Sequence, residues 1–298
     1  MRNRYKIIII SYPHFAQHLA SILNNSHFQV IGITNWSSLS IVQRYRLIRT
    51  ADLVHFFYTF LNPFNQLLCK LTGTSCILHY IGTDVVVASR SRWNRFISRF
   101  NTQLSQSVLC VSPGLSAELG QIGIFAKTLL YFAPNLNINS LYPPMPVTLT
   151  ILVYLPKERE SFYGLDIVKK LIHNNEDINF ILLMNDGSSI GPKHNVEYLP
   201  RSNDMKTIYS KTSLLLRMPI HDGFPSMVVE ALSFGRQVIR NYPTPFCHHA
   251  TGLDDVQEII DQFKLKCPVN YEGANYAKKY FSEETLVPKY HQLYLKYL

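Results

Sequence analysis

The stretch His221-Asp222-Gly223-Phe224-Pro225-Ser226-Met227-Val228-Val229-Glu230-Ala231-Leu232-Ser233-Phe234-Gly235-Arg236-Gln237-Val238-Ile239 decides how this chain is read, because a helix that should be buried there carries one polar stripe. Pro225 can open that helix and Gly235 close it, so the usual start and stop residues bracket about ten residues. Met227, Val228, Val229, Ala231, Leu232 and Phe234 cover most of the circumference, whereas Ser226, Glu230 and Ser233 fall on one face. A helix carboxylate is ordinarily solvated. Buried and unpaired it costs several kcal/mol, so a Glu among apolar residues implies either a cleft or a fixed hydrogen-bonding partner. A polyol would serve, since a carboxylate accepts two hydroxyl donors. Upstream, Asp222 and Gly223 precede the helix N-terminus, where free N–H groups and the positive dipole end favour phosphate oxygens.

The rest of the chain supplies a setting for this helix. At 298 residues and 47% hydrophobic content the sequence can fill two cores. No apolar run is long enough to span a membrane as a helix, and Ile7–Ile10 is too short for a signal-peptide core, so a cytoplasmic protein is expected. The five cysteines, Cys69, Cys76, Cys110, Cys247 and Cys267, are scattered and form no C-x-x-C pair, as reduced thiols would be. Cys247-His248-His249 raises a metal site, but adjacent residues share no face and no second ligand cluster is evident. A loop without metal, and no resident cofactor, is the expectation.

Periodicity alternates strand and helix in both halves. Strands are expected at Lys6–Ser11, Gln29–Thr34, Leu53–Phe57, Cys76–Tyr80 and Ser107–Val111, with helices at His14–Leu23 and Ile41–Ile48 and a further segment at Pro113–Leu119. A Pro- and Asn-rich stretch from Ala133 to Pro146 interrupts the pattern and reads as a linker. Beyond it, strands at Thr148–Tyr154, Asn179–Met184, Val196–Tyr198, Ser213–Met218 and Val238–Ile239 alternate with helices at Leu165–His173 and Met205–Lys211. The expected architecture is α/β: two doubly wound, Rossmann-like parallel-sheet domains, 1–146 and 147–270, facing a cleft, with a helical segment 271–298 after them.

Charge is split unevenly. Residues 1–146 hold 12 Lys+Arg against 3 Asp+Glu, whereas 147–298 hold 17 of each, so the net +9 is all N-terminal. It is sharpest where Arg92, Arg95, Phe96 and Arg99 recur at helical spacing beside Trp93, Ile97 and Phe100. Two readings stand: a basic amphipathic helix lying on an anionic membrane surface through Arg92, Trp93, Arg95, Phe96 and Arg99, or an ordinary helix with its aromatics in the core. A basic, aromatic surface also raises nucleic acid, the less favoured partner.

With these residues in view, the chain resembles the retaining glycosyltransferases of family 4, which have the GT-B fold. Those enzymes carry Glu, seven residues and a second Glu around Gly-Phe-Pro, followed by Glu-Ala-Leu-x-x-Gly-x-x-Val-Ile; here Asp222 and Glu230 stand at the two acidic positions and Glu230–Ile239 matches the rest. The resemblance implies a metal-independent transferase moving a sugar from a nucleoside-diphosphate sugar, its co-substrate, to a hydroxyl of a glycan or lipid-linked acceptor. It implies that Glu230 binds the donor ribose, that Asp222 orients sugar hydroxyls, and that Gly223, Phe224, Pro225 and Ser226 line the sugar and diphosphate. Relatives hold the diphosphate with an Arg and, six residues on, a Lys before Gly. Lys157 and Tyr163 occupy these positions here, followed by Gly164, with Arg159 near enough to supply the second cation. Leu199 joins the donor-side set. On the acceptor side, Leu78–Asp84 resembles a segment that often reads His-Gly-x-Asp. Gly82 and Asp84 match, Ile81 stands in place of the His, and His79 is either its substitute or a core residue. The resemblance also implies that 271–298 braces the N-terminal domain. The departures at Asp222, Tyr163 and Ile81 keep a second reading open, a non-catalytic subunit of a glycan-assembly complex, and the basic N-terminal half a third, a transferase acting on nucleic acid.

Overall fold

The chain is described by a computed structural model covering residues 4–57, 62–139, 141–202, 204–223 and 225–298. It divides into two compact units: unit 1 comprises residues 1–132 and 283–298, and unit 2 residues 133–282.

Unit 1 holds a six-stranded parallel sheet of β1 (Tyr5–Ile10), β2 (Phe28–Ile33), β3 (Leu53–Phe57), β4 (Ser75–Tyr80), β5 (Ser107–Cys110) and β6 (Lys127–Thr128), in the order β2-β1-β3-β4-β5-β6. Its helices are α1 (Pro13–Leu23), α2 (Ile41–Arg49), α3 (Phe64–Thr72), α4 (Thr83–Ser89), α5 (Arg92–Gln103) and α6 (Pro113–Gln121). The run of four isoleucines in β1 shows why the sheet is covered on both faces. Alternate side chains point to opposite sides, so Ile7 and Ile9 enter one core with Phe28, Phe57 and Phe132, while Ile8 and Ile10 enter another with Trp36, Ile48 and Phe56.

Unit 2 holds β7 (Thr150–Tyr154), β8 (Asn179–Leu183), β9 (Val196–Leu199), β10 (Leu214–Arg217), β11 (Gln237–Arg240) and β12 (His248–His249), ordered β12-β11-β10-β7-β8-β9, again all parallel. Its helices are α7 (Leu165–Asn174), α8 (Met205–Ser210), α9 (Ser226–Ser233), α10 (Leu253–Leu265) and α11 (Tyr271–Phe281). Counted from β7, this is the 3-2-1-4-5-6 order of dinucleotide-binding folds, with the reversal between β7 and β10; in unit 1 the reversal lies between β1 and β3. Ligand crevices of open parallel sheets form at the carboxyl ends of strands flanking such a reversal.

Two boundaries differ from those expected. The first unit ends at Phe132, not at 146, because Phe132 is buried in the unit 1 core whereas Asn135 and Asn137 already hydrogen-bond to α9. The final segment is not one piece. α11 packs on α9 in unit 2; the chain turns at Ser282, and α12 (Glu283–Tyr297) sends Leu286, Tyr290 and Tyr294, one helical turn apart, into the unit 1 core. Complete burial of such a side chain is worth about 1.5–3 kcal/mol, so α12 is part of that core rather than an accessory to it.

Candidate functional site

The quoted stretch forms α9 as a helix of eight residues, with Pro225 at its N-cap and Gly235 beyond its C-cap in the left-handed conformation its lack of a side chain permits. The two buried members of the polar stripe, Glu230 and Ser233, are satisfied from within the chain. Tyr209 at the end of α8 donates its hydroxyl to Glu230 Oε2 at 2.7 Å, and Asn135 donates its backbone N–H and its Nδ2 to Oε1 at 3.3 and 3.4 Å. Ser233 accepts the N–H of Asn137 at 2.9 Å and donates to the carbonyl of Glu230. Glu230 is 2% exposed, and burial raises its pKa against the hydrogen bonds of Tyr209 and Asn135. Glu230 and Ser233 therefore need no external ligand to be stable: their partners are Tyr209 and the segment entering unit 2. The two contacts from Asn135 are long, and Oε1 keeps lone-pair capacity.

Charge gathers at the carboxyl edge of the unit 2 sheet. Arg217 and Arg240 end adjacent strands in register, and both reach Asp222 in the loop before α9. Arg217 donates from Nε to Oδ2 at 2.8 Å and from Nη2 to Oδ1 at 3.1 Å, while Arg240 donates from Nη2 to Oδ2 at 3.2 Å and from Nη1 to Thr244 Oγ1 at 2.9 Å. All three charged side chains are buried, which leaves two cations on one anion. Burial pulls the Arg217 pKa down, but Asp222 more than offsets it; for Arg240 burial wins and its pKa falls. Arg240 Nε finds no acceptor among the described residues. Arg217 also lies over the rings of Tyr163 at 5.4 Å and Tyr154 at 5.6 Å, at the strand reversal.

Lys157 and Arg159 sit in the 3-10 turn that follows β7, both exposed. Lys157 is paired with Asp186 in the loop after β8, and this partner raises its pKa. Arg159 stacks on Phe162 at 4.2 Å and Tyr163 at 5.6 Å. Gly164 caps the turn at φ 86°, and a Cβ there would meet the Met218 carbonyl oxygen at 3.0 Å, which explains glycine at this position. Leu199 ends β9 and accepts the N–H of Met184 at 2.7 Å. Gly223, Pro225 and Ser226 are partly exposed around the start of α9, and Phe224 lies outside the described residues.

The acceptor-side residues behave differently. Asp84 is buried and turns its carboxylate back on its own turn, accepting from the N–H groups of Ile81, Gly82 and Val85, while Gly82 precedes α4 at φ 141°. His79 is fully buried, stacked on His55 at 5.4 Å and on Phe57 at 4.7 Å, with Nε2 against the Leu129 carbonyl at 3.0 Å. It is a core histidine and cannot reach an acceptor; burial lowers its pKa to about 3. The opening at the unit 1 reversal is instead a cavity of about 120 Å³ lined by Ile10, Ser11, Tyr12, Trp36 and Phe57. The basic helix α5 keeps Arg92, Trp93, Phe96 and Arg99 exposed and Arg95 half-buried, so its aromatics are not in the core. Among the described residues no helix is long and apolar enough to cross a membrane, and no group of three or more His, Cys, Asp and Glu could hold a metal ion.

Sequence reasoning missed Arg217, Arg240, Tyr209 and Asn135. Arginines closing the otherwise apolar Leu214-Leu215-Leu216 and Val238-Ile239 runs were the available signal, since a charge ending a buried strand demands a partner. Nothing local marks Tyr209 or Asn135, whose partner is distant in sequence.

No protein-family model and no curated protein matches the sequence. Solved structures do match the fold. The sucrose-phosphate synthase of Thermosynechococcus elongatus aligns with a TM-score of 0.72 at 13% identity over 98% of this chain and 99% of its own. HepE of Anabaena, solved with UDP and glucose, aligns at 0.73 and 12% identity over 98% and 100%. A candidate UDP-N-acetylglucosamine 2-epimerase of Listeria monocytogenes aligns at 0.57 and 11% over 96% and 94%, so one architecture carries different chemistries. The likeness extends over nearly the whole of each chain, and the fold of this protein is GT-B.

Proposed function

We propose that the protein is a glycosyltransferase using a nucleoside-diphosphate sugar, of the retaining, metal-independent family 4 type. The observation that carries this reading is the cationic carboxyl edge of the unit 2 sheet, where Arg217 lies over Tyr163 and Tyr154 at the strand reversal. Relatives place a lysine where Tyr163 stands; Arg217 over that ring restores a fixed positive charge. Lys157 and Arg159 flank it from the loop after β7. A departing nucleoside diphosphate needs such charge, preorganised before the bond breaks. Glu230 takes the ribose hydroxyls by exchanging the weak contacts of Asn135 for them. The bond from the anomeric carbon to the diphosphate oxygen breaks, the acceptor oxygen bonds to that carbon on the same face, and the acceptor proton passes to a phosphate oxygen. UDP sugars are the first donors to try, because HepE was solved with UDP and glucose on this fold.

Isothermal titration against UDP, GDP, ADP, dTDP and CMP and their sugar conjugates tests the reading. One base should bind, and Glu230→Ala should weaken it by roughly tenfold or more, the worth of a charged hydrogen bond. Absence of binding by every nucleotide would overturn the proposal.

A specific observation favours a second reading. Both oxygens of Asp222 are taken by Arg217 and Arg240, so the carboxylate that relatives turn toward the sugar is already engaged here. A GT-B subunit that binds a donor without turning it over fits that geometry. Nucleotide binding with no release of nucleoside diphosphate across an acceptor panel supports the subunit; release supports the enzyme.

A further inference from the structure

Helix α5 is built inside out. Its most buried side chains are Ser98 at 2% and Asn101 at 1% exposure, whereas Trp93 is 66% and Phe96 59% exposed. The two outward rings stack on each other at 5.6 Å, and Phe96 stacks on Phe100 at 6.5 Å, so they form one continuous aromatic ridge. Arg99 donates to the carbonyl of Ile122 at 2.7 Å, which sets the following loop beside α5, and Phe125 in that loop is 88% exposed. Arg92 and Arg99 on the same helix, and Arg90 just before it, are exposed, and Arg95 is half-buried. No acidic residue occurs between Asp84, which is buried, and Glu118. A contiguous apolar patch on a protein surface marks a place of interaction, and here the charged residues of the helix that carries it, Arg92, Arg95 and Arg99, are all cations.

We propose that α5 and the Phe125 loop form a docking surface for an anionic lipid bilayer. Charge complementarity selects the occupant. A second copy of the chain would bring arginines against arginines, whereas phosphate headgroups satisfy them while Trp93, Phe96 and Phe125 enter the headgroup boundary, where aromatic rings are favoured. The surface would hold unit 1 at a membrane whether or not the donor reading is correct.

The two tryptophans of the chain make the test internal. Trp36 is 3% exposed and donates its Nε1 to Asn65 at 3.2 Å, so a change in emission on adding vesicles reports Trp93. With phosphatidylcholine vesicles containing about a third phosphatidylglycerol, a blue shift and co-sedimentation are expected, weakened by salt and at least tenfold weaker with phosphatidylcholine alone. Trp93→Ala/Phe96→Ala, followed by co-sedimentation, should lose at least tenfold in affinity; both sites are exposed, and an unchanged circular dichroism spectrum confirms the fold. The proposal is overturned by absence of binding, by equal binding to both vesicles, by salt-sensitive DNA binding in place of vesicle binding, or by dimerisation that the double variant abolishes.

Discussion

The carboxyl edges of the two parallel sheets invite comparison, because backbone topology makes both of them places for ligands and side chains make them unlike. In unit 2 the edge carries Lys157, Arg159, Arg217 and Arg240 with Asp186 and Asp222. In unit 1 the strand reversal opens onto Tyr12, Trp36 and Phe57, while Asp84 and His79 are consumed by the fold itself. A charged edge suits a phosphorylated ligand, whereas on the unit 1 edge Trp36 and Phe57 are buried and Tyr12 is the aromatic side chain exposed to a ligand. On the proposed function, the same frame would place recognition of the diphosphate in unit 2 and leave unit 1 to the acceptor.

The largest effect expected is at Asp222. If its first duty is to neutralise Arg217 and Arg240, Asp222→Ala leaves two buried cations and should cost about 3–5 kcal/mol, read as faster hydrogen exchange in β10 and β11. A variant of wild-type stability that has lost only turnover would instead return Asp222 to the sugar. Next is Glu230→Ala, which strands the Tyr209 hydroxyl and should cost about 1–3 kcal/mol in addition to donor affinity. Glu230→Gln should spare more of the stability, because burial disfavours the charge, and still lose the donor.

For unit 1 the contrast predicts a pH dependence of structural origin. His79 titrates near 3 when folded and near 6.5 when unfolded, so between these values the unfolded chain binds the extra proton. Stability is therefore complete above pH 6.5 and falls as pH drops toward 3, by about 2 kcal/mol at pH 5 for this residue alone. Both tryptophans lie in unit 1, so urea titration followed by their emission measures it directly, and His79→Phe should make the profile shallower, leaving the share of His55, whose pKa burial also lowers. The smallest structural effect is expected at Lys157→Ala, since its pair with Asp186 is exposed. The melting midpoint should hold while turnover drops; a midpoint that moves with turnover unchanged would make the pair structural.

Much of this was legible in sequence for reasons that can be named. Strands such as Ile7–Ile10 and Leu214–Leu216 are apolar on both faces, a signature of parallel sheets, and Pro225 and Gly235 bracketed α9 to within two residues. Glu230 stood out because its neighbours are apolar, and the requirement for a partner was correct in kind. Its partners, Tyr209 and Asn135, are 21 and 95 residues away and cannot be found from periodicity. The helices α3, α4 and α10 escape the periodicity, and so does the break at Ser282, although Ser282 before Glu283 and Glu284 is a helix-start pattern. His79 shows the opposite limit: alternation places a residue on a strand face without saying whether that face meets solvent or α12.

The return of α12 to unit 1 also bears on how the chain assembles during synthesis. Unit 2 is one continuous stretch and can close as soon as its last residue has left the ribosome, whereas unit 1 lacks Leu286, Tyr290 and Tyr294 until translation has passed through all of unit 2. The N-terminal half must therefore wait with Ile7, Leu53 and Phe57 incompletely covered, and the later-made unit is free to mature first, the reverse of the usual N-to-C order.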